Sequence, residues 1–461
     1  MVDLGRLAPP SRPSPRQAVP HLSILIKNAL LLTVDPAMTV HERGWLHVEG
    51  KTIARLGEGT PPEIAGAEII DAEGDVVMPG MVNPHCHMAM SLFRGLGEDV
   101  DERLFRYILP IERKFVTPEM VRTGTALAAL ESIQGGVTTI ADMYYFETEV
   151  ARVVADAGVR GVLGQTLADF DPPDHTTFDE GFGRVEDLVA EFAGHERITP
   201  SIAPHAPYST GMAVMQRVAR WSESHPDVPV QMHLAEMDSE MEWCAKNFGA
   251  RPVAVVRRSG LLKRGLIAAH CLYVDDNEIE ILARSGVGVA HNARSNGKAG
   301  RGMAPVAAMR KAGVPVGIAT DGAMSGNTLD LFAQFAPVSM FQKILGHSRK
   351  PMPAAEVIRM ATIEGARVLG LDATIGSLEP GKAADLIRLD LRAPRLHPIY
   401  DPYSMLVFAA NAADVRDTMV AGTWLMRDRG VLTLERKKVL RDALAVARTF
   451  RAEIAAIDTA R

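Results

Sequence analysis

Between residue 79 and about residue 371, short apolar runs rich in Val, Ile and Ala alternate with stretches of helical periodicity. Eight runs read as strands, at 76–82, 137–143, 159–166, 198–203, 228–233, 265–269, 286–290 and 315–320. Helices are predicted between them at 118–134, 147–156, 211–222, 276–284 and 305–312. Pro118 and Pro305 fall where a first helical turn tolerates proline. A strand written as a continuous apolar run is buried on both faces, which points to a parallel sheet covered by helices. Eight such units over about 290 residues match the size of a (β/α)8 TIM barrel.

The flanks read differently. Residues 1–20 hold five prolines among Arg and Ser, a composition that cannot bury enough apolar surface to order itself, so a disordered leader is expected. From 21 to 78 the text is β-rich, with strands at 23–33, 44–48 and 52–56 and a tight turn at Glu49-Gly50-Lys51. After a helix at 354–369, strand-like text returns over 376–435, at 384–390 and 418–426, and an Ala-rich closing helix is predicted at 436–457. The simplest architecture is an α/β chain. A small β-sandwich is built from both chain ends (21–78 and 376–435), with the barrel (79–375) inserted between them and a C-terminal helix in 436–461.

Composition removes several function classes. Lys+Arg 50 against Asp+Glu 56 leaves a net charge of -6, and aromatics are only 5%, so nucleic acid is not an expected partner. No run reaches the roughly 18 apolar residues of a membrane span. Residues 22–34 carry Lys27 and Asn28 and no cleavage site follows, so they read as strand, not signal peptide. Cys86, Cys244 and Cys271 are too few and too odd for a disulfide framework and suit a reducing compartment. A cytoplasmic location is expected. Association into a homo-oligomer is compatible with the sequence, though nothing in it requires one.

The positions of the histidines carry the functional reading. Of 14, six follow the predicted barrel strands: His85, His87, His205, His233, His270 and His291; Asp321 follows the eighth. Barrel active sites lie at the C-terminal strand ends, so these residues converge on one mouth. In His85-Cys86-His87 the strand alternation points both imidazoles to one face and Cys86 away. His233 adds a third nitrogen and Asp321 an oxygen, a normal ligand set for zinc or another borderline divalent ion. A water at such an ion can become hydroxide near neutral pH. Glu236, just beyond the fifth strand, is placed to carry protons, and His270 to hydrogen-bond water or a developing oxyanion.

These segments resemble the amidohydrolase superfamily over about 24–426. The resemblance rests on Pro79-Gly80-Met81-Val82-Asn83-Pro84-His85-Cys86-His87, Met232-His233-Leu234-Ala235-Glu236, Ala269-His270-Cys271, Thr320-Asp321-Gly322-Ala323 and Gly381-Lys382-Ala383-Ala384-Asp385-Leu386. Within it, Arg94-Gly95, Leu109-Pro110-Ile111-Glu112, Asp142-Met143-Tyr144, Pro204-His205-Ala206-Pro207-Tyr208 and Ser295-Asn296 are similar to the 5′-methylthioadenosine/S-adenosylhomocysteine deaminase and triazine hydrolase branch. The resemblance implies His85, His87, His233 and Asp321 as ligands of one divalent ion, Zn2+ or alternatively Fe2+. It implies Glu236, His270 and Asp321 as catalytic residues, with Glu112 and His205 against the substrate. The implied reaction is hydrolytic deamination of an aromatic amidine. Asp321 takes a proton from the water, Glu236 protonates the ring nitrogen, His270 orients the hydroxide, and ammonia leaves.

The departures from that branch concern the substrate, an adenosine-like nucleoside or a related aminated heterocycle. Arg103 stands where a Trp is usual, and Gln165 stands where some members carry an Arg; both are candidate substrate contacts. Arg103, Arg294, Lys298 and Arg301 could make the pocket more cationic, but each taken singly reads more readily as a solvated loop charge. The alternatives are a triazine-type amino- or chlorohydrolase and a pterin- or guanine-type deaminase. More remote is a barrel that only binds, whose signature would be loss of ligands.

Overall fold

The computed structural model describes residues 23–100, 103–451 and 454–455. The expected leader lies outside them. Five strands form the first part of a mixed sheet: β1 (Ser23–Leu32), β2 (Val40–Glu49), β3 (Thr52–Glu58), β4 (Glu68–Asp71) and β5 (Val76–Pro79). Eight parallel strands follow: β6 (Met81–Cys86), β7 (Val137–Tyr144), β8 (Arg160–Leu167), β9 (Ile198–Pro204), β10 (Val230–Leu234), β11 (Leu266–His270), β12 (Gly288–His291) and β13 (Val316–Ile318). The chain then returns to the first sheet as β14 (Leu386–Leu389), β15 (Val415–Val420), β16 (Thr423–Arg427) and β17 (Gly430–Val431). The nine-stranded sheet has the order β17-β16-β15-β14-β5-β1-β2-β3, with β4 on β1, so β14 against β5 is where the two chain ends join.

The barrel strands neighbour one another in sequence order, from β6 to β13. Every residue of β6, β7, β8, β10, β11, β12 and β13 is buried, as the apolar runs required. Side chains fill the interior: Val82, Ala141, Val162, Ile267 and Ala290 pack with Ala366, Leu369 and Ile375. The seam between β13 and β6 is held by side chains that supplement the backbone, because Pro84 has no N–H to give to a ladder. Asn83 bridges it, donating to Thr320 Oγ1 at 2.8 Å and accepting from Thr320 N–H at 3.2 Å. Asp321 N–H reaches His85 O at 3.2 Å. Gly317 is required there, since a Cβ would lie 2.8 Å from Pro84 Cγ.

Three sequence expectations are corrected. The run at 76–82 is two strands: β5 belongs to the mixed sheet and β6 to the barrel, with the break at Gly80, where a Cβ would lie 2.2 Å from the Thr138 side chain. The run at 418–426 is an antiparallel hairpin, turning at Ala421-Gly422 with φ of 46° and 72°. Positive φ at both central residues is the two-residue hairpin geometry, unmarked here by Asn or Asp. The helix at 354–369 is two, Ala354–Ala361 and Ile363–Val368, broken at Thr362 (φ -131°, ψ -97°). The helix expected at 118–134 is found as Pro118–Gln134, capped by Thr117 accepting from Met120 N–H. The helices Phe178–Glu191, Asp238–Phe248, Pro252–Ser259 and Phe332–Leu345 were not anticipated. The closing helix is Arg436–Thr449; part of its expected extension to 457 lies outside the described residues. Among the described residues, no helix is long and apolar enough to cross a membrane.

Candidate active site and metal centre

The C-terminal strand ends open into a cavity of about 450 Å³, lined by His87, His205, His233, His270, Glu236 and Asp321 among others. This is a volume suited to a small organic molecule. The chain leaves several of these strands in the left-handed region, with φ of 51° at Ala235, 73° at His270, 46° at Cys271 and 61° at Asp321. For residues other than glycine that costs roughly 1–3 kcal/mol each and persists only where surroundings enforce it. Here Cys271 N–H is held by Leu234 O at 2.9 Å, and Leu272 N–H by Ala235 O at 2.9 Å.

Second contacts aim the imidazoles. His87 Nδ1 donates to Met143 O at 2.7 Å and His233 Nδ1 to His205 O at 3.1 Å, which engages each Nδ1 and leaves each Nε2 for the site. His85 is 1% exposed, and among the described residues its Nε2 has no hydrogen-bond partner. One nitrogen each of His85, His233 and His270 lie within 4.8 Å of one another, as do donor atoms of His85, His87 and Asp321. His87 Nε2 faces Asp321 Oδ1 at 3.4 Å. Buried lone pairs that converge without a donor between them are costly unless a cation sits among them. The residues present therefore fit a divalent ion held by His85, His87, His233 and Asp321.

Electrostatics agree. Burial, assisted by neighbouring histidines, drives His85 and His205 well below the usual imidazole range and His233 down to about 4. Neutral imidazole is the form that binds metal. At His87 burial pushes the same way, but the hydrogen bond and charge of Asp321 outweigh it and lift the group to about 9. A proton there takes the place a cation would fill. At Glu236 burial acts to raise the carboxyl, and His270, Arg301 and His233 together outweigh it, so it stays ionised below its ordinary value.

Asp321 is held at both oxygens: Oδ2 accepts from Ser295 Oγ at 2.6 Å and Oδ1 from Gly322 N–H at 2.6 Å. His270 Nδ1 donates to Asn296 Oδ1 at 2.9 Å, and His270 Nε2 lies 3.8 Å from Glu236 Oε1. Glu240 accepts from Ala235 N–H at 3.0 Å and Glu236 N–H at 2.8 Å, fixing the turn that carries Glu236. Asp142 accepts from Met88 N–H at 2.5 Å and so fixes the chain just after His87. Sequence reasoning gave no role to Ser295, Asn296, Glu240 or Asp142. Ser295, Asn296 and Asp142 lie in motifs that carry the family resemblance; Glu240 is marked only as a carboxylate in the first turn of the helix Asp238–Phe248.

Among the expected substrate contacts, Glu112, His205 and Arg103 line the cavity. Glu112 accepts from Tyr144 Oη at 2.7 Å, and burial pushes its carboxyl up to about 7 against that hydrogen bond. Arg103 donates to Met324 O at 3.0 Å. Gln165 is not brought to the cavity wall. Its amide is taken up by Thr166 O at 3.1 Å, Asp174 at 3.0 Å and Glu147 N–H at 3.3 Å. Arg294 and Lys298 lie on the short helix Ala293–Lys298; Arg294 is exposed, Lys298 pairs with Glu98 at the cavity edge, and Arg301 reaches into the cavity and pairs with Glu236. Arg94 is tied to Glu131 and to Asn327 O at 2.6 Å, a structural knot at the rim.

The amidohydrolase family pattern matches residues 76–425. A 5-methylthioadenosine/S-adenosylhomocysteine deaminase of Syntrophobacter fumaroxidans is 38% identical over 432 residues, 93% of this chain and 98% of that protein. A 5′-deoxyadenosine deaminase of Methanosarcina barkeri is 36% identical over 426 residues, 92% of this chain and 97% of that protein. Among solved structures, an adenosine deaminase from Xanthomonas campestris with bound zinc superposes with a TM-score of 0.89 at 31% identity, covering 94% of this chain and 99% of that one.

Proposed function

The chain belongs to the amidohydrolase family, and on that premise we propose that it is a metal-dependent aminohydrolase of adenosine-like nucleosides. Its substrates are taken from the class named by its relatives: 5′-methylthioadenosine, S-adenosylhomocysteine, 5′-deoxyadenosine or adenosine. The observation that carries the reading is the convergence of His85, His87, His233 and Asp321 beside Glu236 and His270, in a chain similar to nucleoside deaminases along nearly its whole length.

When bound, a divalent ion, zinc or alternatively Fe2+, supplies a Lewis acid and a water acidified towards hydroxide. The protein's own groups handle the protons. Asp321, held by Ser295 and Gly322, is the acceptor for the water's proton. Glu236 stands across from it; ionised at rest, it takes up one proton from solvent before the reaction and delivers it to the ring nitrogen beside the carbon under attack. That carbon becomes tetrahedral. The proton held by Asp321 goes to the departing exocyclic amine, which leaves as ammonia, and the hydroxyl proton shed on collapse returns to solvent. His270, oriented by Asn296, keeps Nε2 as the acceptor that aligns the attacking oxygen. Glu112, further along the cavity, is available to sugar hydroxyls, and His205 to the base.

The test is ammonia release and product identification with the purified protein on these nucleosides, with guanine, pterins and aminotriazines as controls. The reading expects ammonia and the corresponding hypoxanthine nucleoside. Release of chloride or alkylamine from a triazine, with no nucleoside turned over, would replace it by the triazine-hydrolase alternative.

A further inference from the structure

One short segment after β12 reaches three proton-handling groups. Ser295 and Asn296 lie in the helix Ala293–Lys298 and bond Asp321 and His270 respectively; Arg301 follows in the next loop, and its guanidinium contacts Glu236 Oε1. The Arg301 backbone is pinned twice, its N–H by Asn296 O at 3.1 Å and its carbonyl by Tyr273 Oη at 3.2 Å. Gly300 and Gly302 flank it with φ of 66° and 101°, conformations that other residues rarely adopt and that let the chain turn sharply on both sides of Arg301. A solvated loop charge needs none of this.

We infer that Arg301 is a positioning residue for Glu236. Its guanidinium fixes Oε1 of the carboxylate and leaves Oε2 to exchange the proton with the substrate ring. Arginine suits that task because it keeps its own proton at all working pH values and so orients without competing in the transfer. The Glu236 backbone is already fixed through Glu240, so the side-chain torsions are the freedom left for Arg301 to remove. An anion-binding role for the substrate is disfavoured by the same contacts. Arg301 is spent on Glu236, and the neighbouring cation Lys298 is spent on Glu98 and Asn327, each at 2.5 Å. The segment 295–301 thereby sets the relative positions of Asp321, His270 and Glu236 in one piece.

The turnover arm of the test rests on the deaminase reading; the structural arm does not. Arg301→Gln should lower kcat by about ten- to a hundredfold, the usual result of a misplaced catalytic group, with KM within about threefold. Arg301→Lys should recover part of the loss. In a Glu236→Gln background, Arg301→Gln should add little, because both act through one carboxylate. Crystal structures of wild type and Arg301→Gln should show the Glu236 carboxylate displaced in the variant. A raised KM at unchanged kcat, full additivity with Glu236→Gln, or an unmoved Glu236 carboxylate would each overturn the inference. If the wild type deaminates no nucleoside, the functional reading fails, and the crystallographic comparison alone decides this one.

Discussion

Arg160 and Asp385 meet at the base of the barrel; His85, His87, His233 and Asp321 meet at its mouth. Both groups are buried, and the difference lies in what satisfies them. Arg160 opens β8 and forms two bonds to Asp385, Nε to Oδ2 at 3.1 Å and Nη2 to Oδ1 at 3.4 Å. Asp385 Oδ1 also accepts from Ala421 N–H at 2.7 Å, so the pair ties the barrel to the mixed sheet. Every charge there has its opposite within the protein. At the mouth, by contrast, the nitrogens face one another and a carboxylate, His85 Nε2 has no hydrogen-bond partner among the described residues, and left-handed residues hold the strand ends. A buried polar group without a partner calls for an explanation, and where several ligand-type atoms converge a bound cation supplies one.

That contrast can be broken most sharply at Glu236. Glu236→Gln should keep its metal and lose about 10³-fold in kcat, within the range for a general acid–base group; retained turnover would take Glu236 out of proton transfer. Arg160→Ala should do the reverse. Removing one partner of a buried pair costs about 3–5 kcal/mol, seen in denaturant unfolding, while metal content stays unchanged. Loss of metal without loss of stability would erase the distinction between the two ends.

Glu112 gives a pH-dependent version. Burial holds its carboxyl at about 7, above the 4.5 of an exposed glutamate. The folded state therefore keeps its proton longer than the unfolded one, and stability declines as pH rises from about 4.5 to about 7. Glu112→Gln removes that decline, so over this window the variant should gain up to about 3 kcal/mol relative to wild type. A difference constant with pH would contradict the assignment. The smallest effect is expected at Ser295, whose loss frees one oxygen of Asp321. Ser295→Ala should cost about tenfold in kcat or metal affinity, measured by steady-state kinetics and chelator competition.

Much of this was legible in the sequence, for identifiable reasons. Barrel strands announce themselves because burial on both faces forces uninterrupted apolar runs, and His85, His87, His233 and Asp321 stand out as polar residues at the ends of those runs. What could not be read was where one strand yields to another, because neither the change of sheet at Gly80 nor the tight hairpin at Ala421-Gly422 interrupts the apolar text. Helices such as Asp238–Phe248 were hidden by mixed polar surfaces. The supporting contacts were hidden for another reason. Ser295, Asn296, Glu240 and Arg301 act through pairings that only the folded chain creates, and Arg301 on a loop looks like any solvated cation until Glu236 is placed beside it.

On the reading proposed above, the mouth of the barrel is completed by one divalent ion held by His85, His87, His233 and Asp321. Metal analysis of the purified wild type beside His233→Ala and Asp321→Asn tests it directly. Close to one ion per chain is expected in the wild type, with a large loss in both variants. Undiminished stoichiometric metal in both variants would contradict it.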